Sequence, residues 1–260
     1  MPNPLMERLK AGKACVNGWL MINNGFVAEV MAQIGWDSLT IDLQHGLQDY
    51  GSLVGMMQAM HGHPVTPMAR VPWNEPGIIG KVLDAGMWGI ICPMVNTAEQ
   101  AKALVDACLY TPLGTRSYGP IRAGFYGSKT IYQETANDNV LVLPQIETVE
   151  AVENVEAILD VPGISGVYVG PGDLGLSMGL SPVLDREEPE VLRMYDKILA
   201  ATRARGKFAG IQNATSTYAA RMGRMGFQIL TVSSDITLMG QAAQQAVADT
   251  RAGAGEVSAL

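Results

Sequence analysis

Two acids stand out by their position. Glu147 in "LPQIET" and Asp173 in "VGPGDLGLSMG" each follow an apolar run, and 26 positions separate them. If the two runs are neighbouring strands of one sheet, the carboxylates converge at the strand ends. Two bare carboxylates that close repel unless a proton or a cation sits between them. Neither strand end carries His or Cys, so the ligand set is all oxygen, which suits Mg²⁺ or Mn²⁺ keeping several waters and leaves room for a chelating substrate. Taken singly, each acid could merely cap the next helix or turn, since Gly-Pro-Gly before an acid is ordinary turn chemistry. The pair at adjoining ends is what favours a metal.

Other chemistry-bearing residues fall at similar places. Arg70 closes "TPMAR", where a guanidinium can hold a carboxylate or a developing enolate oxygen through paired donors. An ion pair with Asp42 on the neighbouring run would hold that arginine in position. His45 in "IDLQHG" follows another run, and imidazole is the side chain best suited to move a proton near neutral pH. His61 and His63 have metal-ligand spacing but lie before a run, on the opposite face, and are rejected as ligands. A Schiff-base route needs a lysine near a strand end. Lys13 and Lys207 precede runs, and Lys81, Lys102, Lys129 and Lys197 fall on helices or in a long connection. Metal-assisted enolate chemistry survives, with a cation polarising an oxo group while a base moves the proton.

The elements that must position these residues are eight apolar runs, at 15–21, 38–43, 66–71, 89–95, 140–147, 166–170, 207–212 and 227–233. Their continuous apolar character means burial on both faces, and helical-period segments alternate with them. Eight such units in about 250 residues match a TIM (β/α)8 barrel, with an open doubly wound sheet as the weaker choice. The whole chain, 1–260, reads as one barrel domain. Asn74 before Glu75-Pro76 reads as an N-cap, Thr97 with Gln100 as a capping box, and Gly86 and Gly206 as residues just past helix ends. Barrel chemistry sits at the C-terminal strand ends, which here present Trp19, Asp42, His45, Arg70, Gln145, Glu147, Asp173, Ser233, Ser234 and Asp235. The segment 111–139 is expected to be a long loop, with Arg116, Tyr118 and Arg122 as anion contacts that select substrate.

Composition removes several classes. A formal charge of −7, with scattered Lys and Arg, gives no footprint for nucleic acid. Cys15, Cys92 and Cys108 are odd in number and lack Cys-x-x-Cys spacing, so no disulfide framework or structural zinc is indicated. No apolar stretch reaches the roughly 20 residues that a bilayer requires. A soluble, cytoplasmic protein with no membrane partner is the expectation. Gly-Pro-Gly-Asp lacks G-x-G-x-x-G spacing, and no Walker sequence is present, so nucleotide binding has little support.

These residues resemble the HpcH/HpaI family of metal-dependent pyruvate aldolases, of the 4-hydroxy-2-oxoheptanedioate aldolase type. The carrying motifs are "IDLQHG", "ARVPWNEPGIIGKVLDAG", "CPMVNTAEQA", "LPQIET" and "VGPGDLGLSMG", from about residue 15 to 240. The resemblance implies a homo-hexamer that exchanges its C-terminal helix between subunits. It implies Glu147 and Asp173 as ligands of Mg²⁺ or Mn²⁺, with Co²⁺ a further option, and Gln145 and the Gly172 backbone as pyruvate contacts. Arg70 would stabilise the enolate, His45 would accept the proton, and Asp84, from within the subunit or across a subunit contact, would make His45 more basic. The implied reaction is reversible cleavage of a 4-hydroxy-2-oxo acid to pyruvate and an aldehyde, both small-molecule partners. One departure is Gln44-His45-Gly46, where the best-known members carry Glu-His-Ala. Two alternatives remain. A citrate lyase β or malyl-coenzyme A lyase reading shares the acid pair but needs a coenzyme-binding region that is not recognisable here, and a non-catalytic metabolite-binding barrel leaves His45 and Arg70 without a task.

Overall fold

The computed structural model describes residues 2–125 and 128–254. Eight parallel strands close into a barrel in chain order: β1 (Cys15–Leu20), β2 (Ser38–Asp42), β3 (Thr66–Arg70), β4 (Gly89–Cys92), β5 (Leu141–Ile146), β6 (Gly166–Val169), β7 (Phe208–Asn213) and β8 (Ile229–Val232). Each coincides with its expected run, apart from small differences at the ends. Pairing of Cys15 with Ile229 closes β1 onto β8. Nearly every strand residue is buried, as a sheet sandwiched between a filled interior and an outer ring of helices requires.

The lower mouth is plugged by a helix that the alternation of runs did not reveal, Pro4–Lys10. Asn3 caps it by accepting from the Leu5 and Met6 amides, and the same side chain donates to the carbonyls of Trp88 and Asn139, just below β4 and β5. Leu5 and Leu9 are thereby driven into the barrel interior beside Met68, Ile91, Leu141 and Leu143. Burying each leucine contributes about 1.5–3 kcal/mol. The lower end is sealed, and the open end is the C-terminal face.

Helix caps follow local chemistry, with one correction. Thr97 and Gln100 form the expected capping box, and Gly86 and Gly206 take positive φ just past helix ends. Asn74, however, does not cap the helix Pro76–Asp84. Glu75 does, its carboxylate accepting from the Gly77 and Ile78 amides, while Asn74 donates to the Gln100 carbonyl. The segment 111–139 is also not one loop. It carries a short 3-10 turn, Ala123–Phe125, and an eleven-residue helix, Lys129–Asn139, capped by Ser128 and pinned through Tyr132 and Ala136 against Tyr110 and Ala123.

Among the described residues no helix is long and apolar enough to cross a membrane. The three cysteines are free and buried.

Candidate active site

The upper mouth of the barrel opens into a cavity of about 400 Å³. Trp19, His45, Arg70, Gln145, Gly172 and Asp173 line it, together with residues from the ends of β7 and β8. Eight residues singled out in the sequence, these six with Ser233 and Ser234, therefore share one space. No lysine is among the lining residues.

Asp42 organises one side. In register with Arg70 across β2 and β3, it accepts from the guanidinium twice, at 2.9 Å from Nε and 2.5 Å from Nη2. Trp19 Nε1 donates to the same carboxylate at 3.2 Å, and the guanidinium lies 4.9 Å above the Trp19 ring. The amides of Gln44 and His45 also donate to Asp42 Oδ1. Burial alone would raise the Asp42 pKa, but hydrogen bonds and charge from Arg70, with the Gln44 amide and Trp19, hold it below the ordinary value. One buried acid thus fixes both the arginine and the turn that presents His45. Gly46 completes that turn: a Cβ there would run into the Asp42 carbonyl oxygen and the Gln48 side chain, which gives the glycine in Gln-His-Gly a steric reason.

Glu147, just past the end of β5, is not among the lining residues but is hydrogen-bonded to Gln145, which is. Glu147 is 2% exposed and accepts from the Met94 amide at 2.7 Å and from Gln145 Nε2 at 2.5 Å. Burial pushes its pKa up to about 7; the Met94 amide opposes this, and the charge of Asp173 adds to it. The two acids therefore sense each other. Met94 holds its amide there at a positive φ of 55°. Gly170 allows the close approach, since a Cβ built on it would lie 2.5 Å from Glu147 Oε2 and 2.6 Å from Gln145 Nε2.

Asp173 stands in the first turn of the helix Pro171–Ser177, which follows β6 directly. Gly172 precedes it with an amide that the helix leaves without a carbonyl. A Cβ on Gly172 would meet only Leu184 at 3.9 Å, so its smallness is not what the site needs. This helix is held from beneath by Arg186, a fully buried side chain that donates to the carbonyls of Pro171 and Ser181 and pairs with Glu188 at 2.9 Å. Nothing in the sequence around Arg186 signalled that role.

Other residues singled out in the sequence lie outside this cavity. Asp84 and His45 line separate cavities. Asp84 pairs with the buried Arg116 at 2.5 Å, beside a second cavity of about 610 Å³ between helices Pro76–Asp84 and Ala98–Cys108. Arg116 also contacts the Tyr132 hydroxyl and lies 4.6 Å over the Tyr110 ring. Arg122 donates to the carbonyls of Ala85 and Met57, joining helices rather than facing the mouth. His61 and His63 border a third cavity beside Pro2 and Pro4, at the sealed end. Asp235 accepts from the Met21 and Ile22 amides and so ties the start of the last helix to the end of β1.

The donor set suits a hard divalent ion. It is entirely oxygen, Glu147 is a buried acid whose charge is disfavoured without a counter-charge, and the buried Gln145 Oε1 has no hydrogen-bond partner. Among the described residues no group of three or more His, Cys, Asp or Glu is arranged to hold a metal. Two acids leave most positions around an ion to water and substrate.

A closed (β/α)8 barrel with acids, an arginine and a histidine at its upper mouth is the architecture of many enzymes, and its relatives narrow it to the aldolase class of lyases. The model of the HpcH/HpaI aldolase/citrate lyase family matches residues 17–242, and the chain belongs to that family. It is 39% identical to a hydroxypyruvate/pyruvate aldolase of Rhizorhabdus wittichii over 93% of this chain and 96% of that protein. It is 36% identical to a 4-hydroxy-2-oxo-heptane-1,7-dioate aldolase of Salmonella dublin, over 94% and 93% respectively. Among solved structures, an HpcH/HpaI aldolase/citrate lyase family protein of Burkholderia cenocepacia superposes with a TM-score of 0.89 at 30% identity, covering 96% of this chain and 99% of that one.

Proposed function

We propose that the protein cleaves 4-hydroxy-2-oxo acids reversibly to pyruvate and an aldehyde, with Glu147 and Asp173 holding Mg²⁺ or Mn²⁺. The observation that carries this reading is that Asp173, Gln145, Arg70 and His45 line one cavity at the strand ends, with the buried carboxylate of Glu147 hydrogen-bonded to Gln145. When bound, the cation polarises the 2-oxo group of the substrate. The substrate carboxylate accepts from the Gly172 amide, and Gln145 steadies Glu147 through its Nε2. Arg70 commits Nε and one Nη2 hydrogen to Asp42 and keeps its Nη1 hydrogens for charge developing on the 2-oxo oxygen. His45 takes the 4-hydroxyl proton as the bond between C3 and C4 breaks, the aldehyde leaves, and the remaining pyruvate enolate is protonated at C3.

The same reading takes the chain as one catalytic domain working in the cytoplasm as a homo-hexamer. Exposed apolar residues support assembly: Phe26, Val30 and Ile34 on and just after the helix Gly25–Ala32, and Ile236, Met239 and Val247 on the helix Asp235–Ala254. That last helix has only Asp235 buried, which suits exchange with a neighbouring subunit. Asp84 would reach a neighbour's His45 across such an interface.

Kinetics of a 4-hydroxy-2-oxo acid test the assignment. Glu147→Gln and Asp173→Asn are expected to abolish metal-dependent cleavage, and His45→Ala to lower kcat far more than it weakens pyruvate binding. Full activity of either acid variant after chelator treatment would refute the metal site.

A further inference from the structure

A chain of buried hydrogen bonds runs through the barrel interior and ends at the cavity. Ser38 Oγ and Thr40 Oγ1 lie 2.8 and 3.1 Å from Asn17 Oδ1. Asn17 Nδ2 lies 2.8 Å from Thr231 Oγ1, which is 2.6 Å from the Tyr168 hydroxyl, itself 2.7 Å from Gln212 Oε1. Asn17, Ser38, Thr40, Thr231 and Tyr168 are all fully buried.

Counting hydrogens fixes the direction of this chain. With Asn17 Oδ1 toward Ser38 and Thr40, both hydroxyls donate to it and both are satisfied. Turning the amide over would present its two N–H groups to those oxygens and strand two buried hydroxyl hydrogens. Asn17 therefore donates to Thr231. The Tyr168 hydroxyl is placed to donate to both Thr231 Oγ1 and Gln212 Oε1 but has one hydrogen; with Thr231 already accepting from Asn17, that hydrogen passes to Gln212 Oε1 and the Thr231 hydrogen turns to the Tyr168 oxygen. The amide of Gln212 is oriented as a result: its oxygen is committed inward, and its NH₂ group is left over. Gln212 is half-buried and lines the cavity, and among the described residues no acceptor takes those hydrogens.

We propose that Gln212 is a pre-oriented hydrogen-bond donor that selects acceptor aldehydes bearing a hydroxyl on the carbon next to the carbonyl over alkyl aldehydes of equal size. The assignment rests on the aldolase reading above. Pyruvate, held toward β3, β5 and β6, leaves the part of the cavity bordered by β7, β8 and His45 for the aldehyde. A polar substituent there finds a donor that is already oriented, whereas a methyl group leaves that donor desolvated and unpaired.

Glycolaldehyde and propanal differ by one hydroxyl in place of one methyl, so the ratio of their kcat/KM values in condensation with pyruvate reads the donor directly. The ratio is internal to each protein, and general losses of activity cancel. Gln212→Met is expected to lower it about tenfold. Tyr168→Phe, which frees the amide to turn while keeping Gln212, is expected to lower it in the same direction. An unchanged ratio in Gln212→Met would overturn the proposal. Exchange of pyruvate methyl protons with deuterated water in the wild-type protein separates the two levels of inference. Exchange with an unchanged ratio defeats the Gln212 assignment alone, and absence of exchange with metal present defeats the aldolase reading itself.

Discussion

Asp42 and Arg70 face each other in register across β2 and β3, and the carboxylate that holds the guanidinium also accepts from the amide of His45. His45 and Arg70, proposed here to move the proton and to stabilise the anion, therefore share one buried anchor. Removing it acts on both. Asp42→Ala is expected to cost about 3–5 kcal/mol in urea denaturation, because it leaves a largely buried guanidinium without its partner. Asp42→Asn keeps the size but loses the charge. It should lower kcat by about a hundredfold or more with the fold retained, and wild-type kcat in a folded Asp42→Asn variant would show that the anchor is dispensable.

Stability without metal should run against pH in a specific window. The folded-state pKa of Glu147, about 7, lies above its ordinary value of 4.5, so the folded protein binds more protons than the unfolded chain between those values. By linkage, this group makes the metal-free protein less stable as pH rises from about 4.5 to 7. Glu147→Gln removes the titrating group. The expected outcome of urea denaturation in chelator is a wild-type stability that declines across this window relative to the variant, and parallel profiles would contradict it.

Gly170 offers a single-carbon test. A Cβ at this position would lie 2.5 Å from Glu147 Oε2, so Gly170→Ala must displace the acid or the helix entry beyond it. Manganese affinity measured by calorimetry is expected to fall at least about tenfold. Gly172→Ala, whose Cβ has room, should change it far less.

The residues that were legible in the sequence are those whose task is local or set by topology. All eight strands showed as apolar runs because burial on both faces leaves no room for alternation, and their ends then pointed to Glu147, Arg70 and Asp173. The plug helix Pro4–Lys10 was not visible, because its leucines matter only once a barrel exists for them to fill. Arg186 was missed for a similar reason: a fully buried arginine supporting the Asp173 helix has partners set by the tertiary fold. Asp84 shows the converse limit. Motif likeness tied it to His45, yet within the chain its carboxylate is taken by Arg116, a pairing from a segment that reads as loop but folds back through the helix Lys129–Asn139. At Asn74, a plausible capping residue lost to Glu75, whose longer side chain reaches two amides at once.

The measurement closest to the central claim is a crystal structure grown with manganese and pyruvate, with anomalous scattering used to locate the ion. One strong peak is predicted within bonding distance of both Glu147 and Asp173, with the pyruvate carboxylate near the Gly172 amide. Manganese bound elsewhere, or the two carboxylates turned apart around an empty space, would contradict the metal-dependent aldolase mechanism.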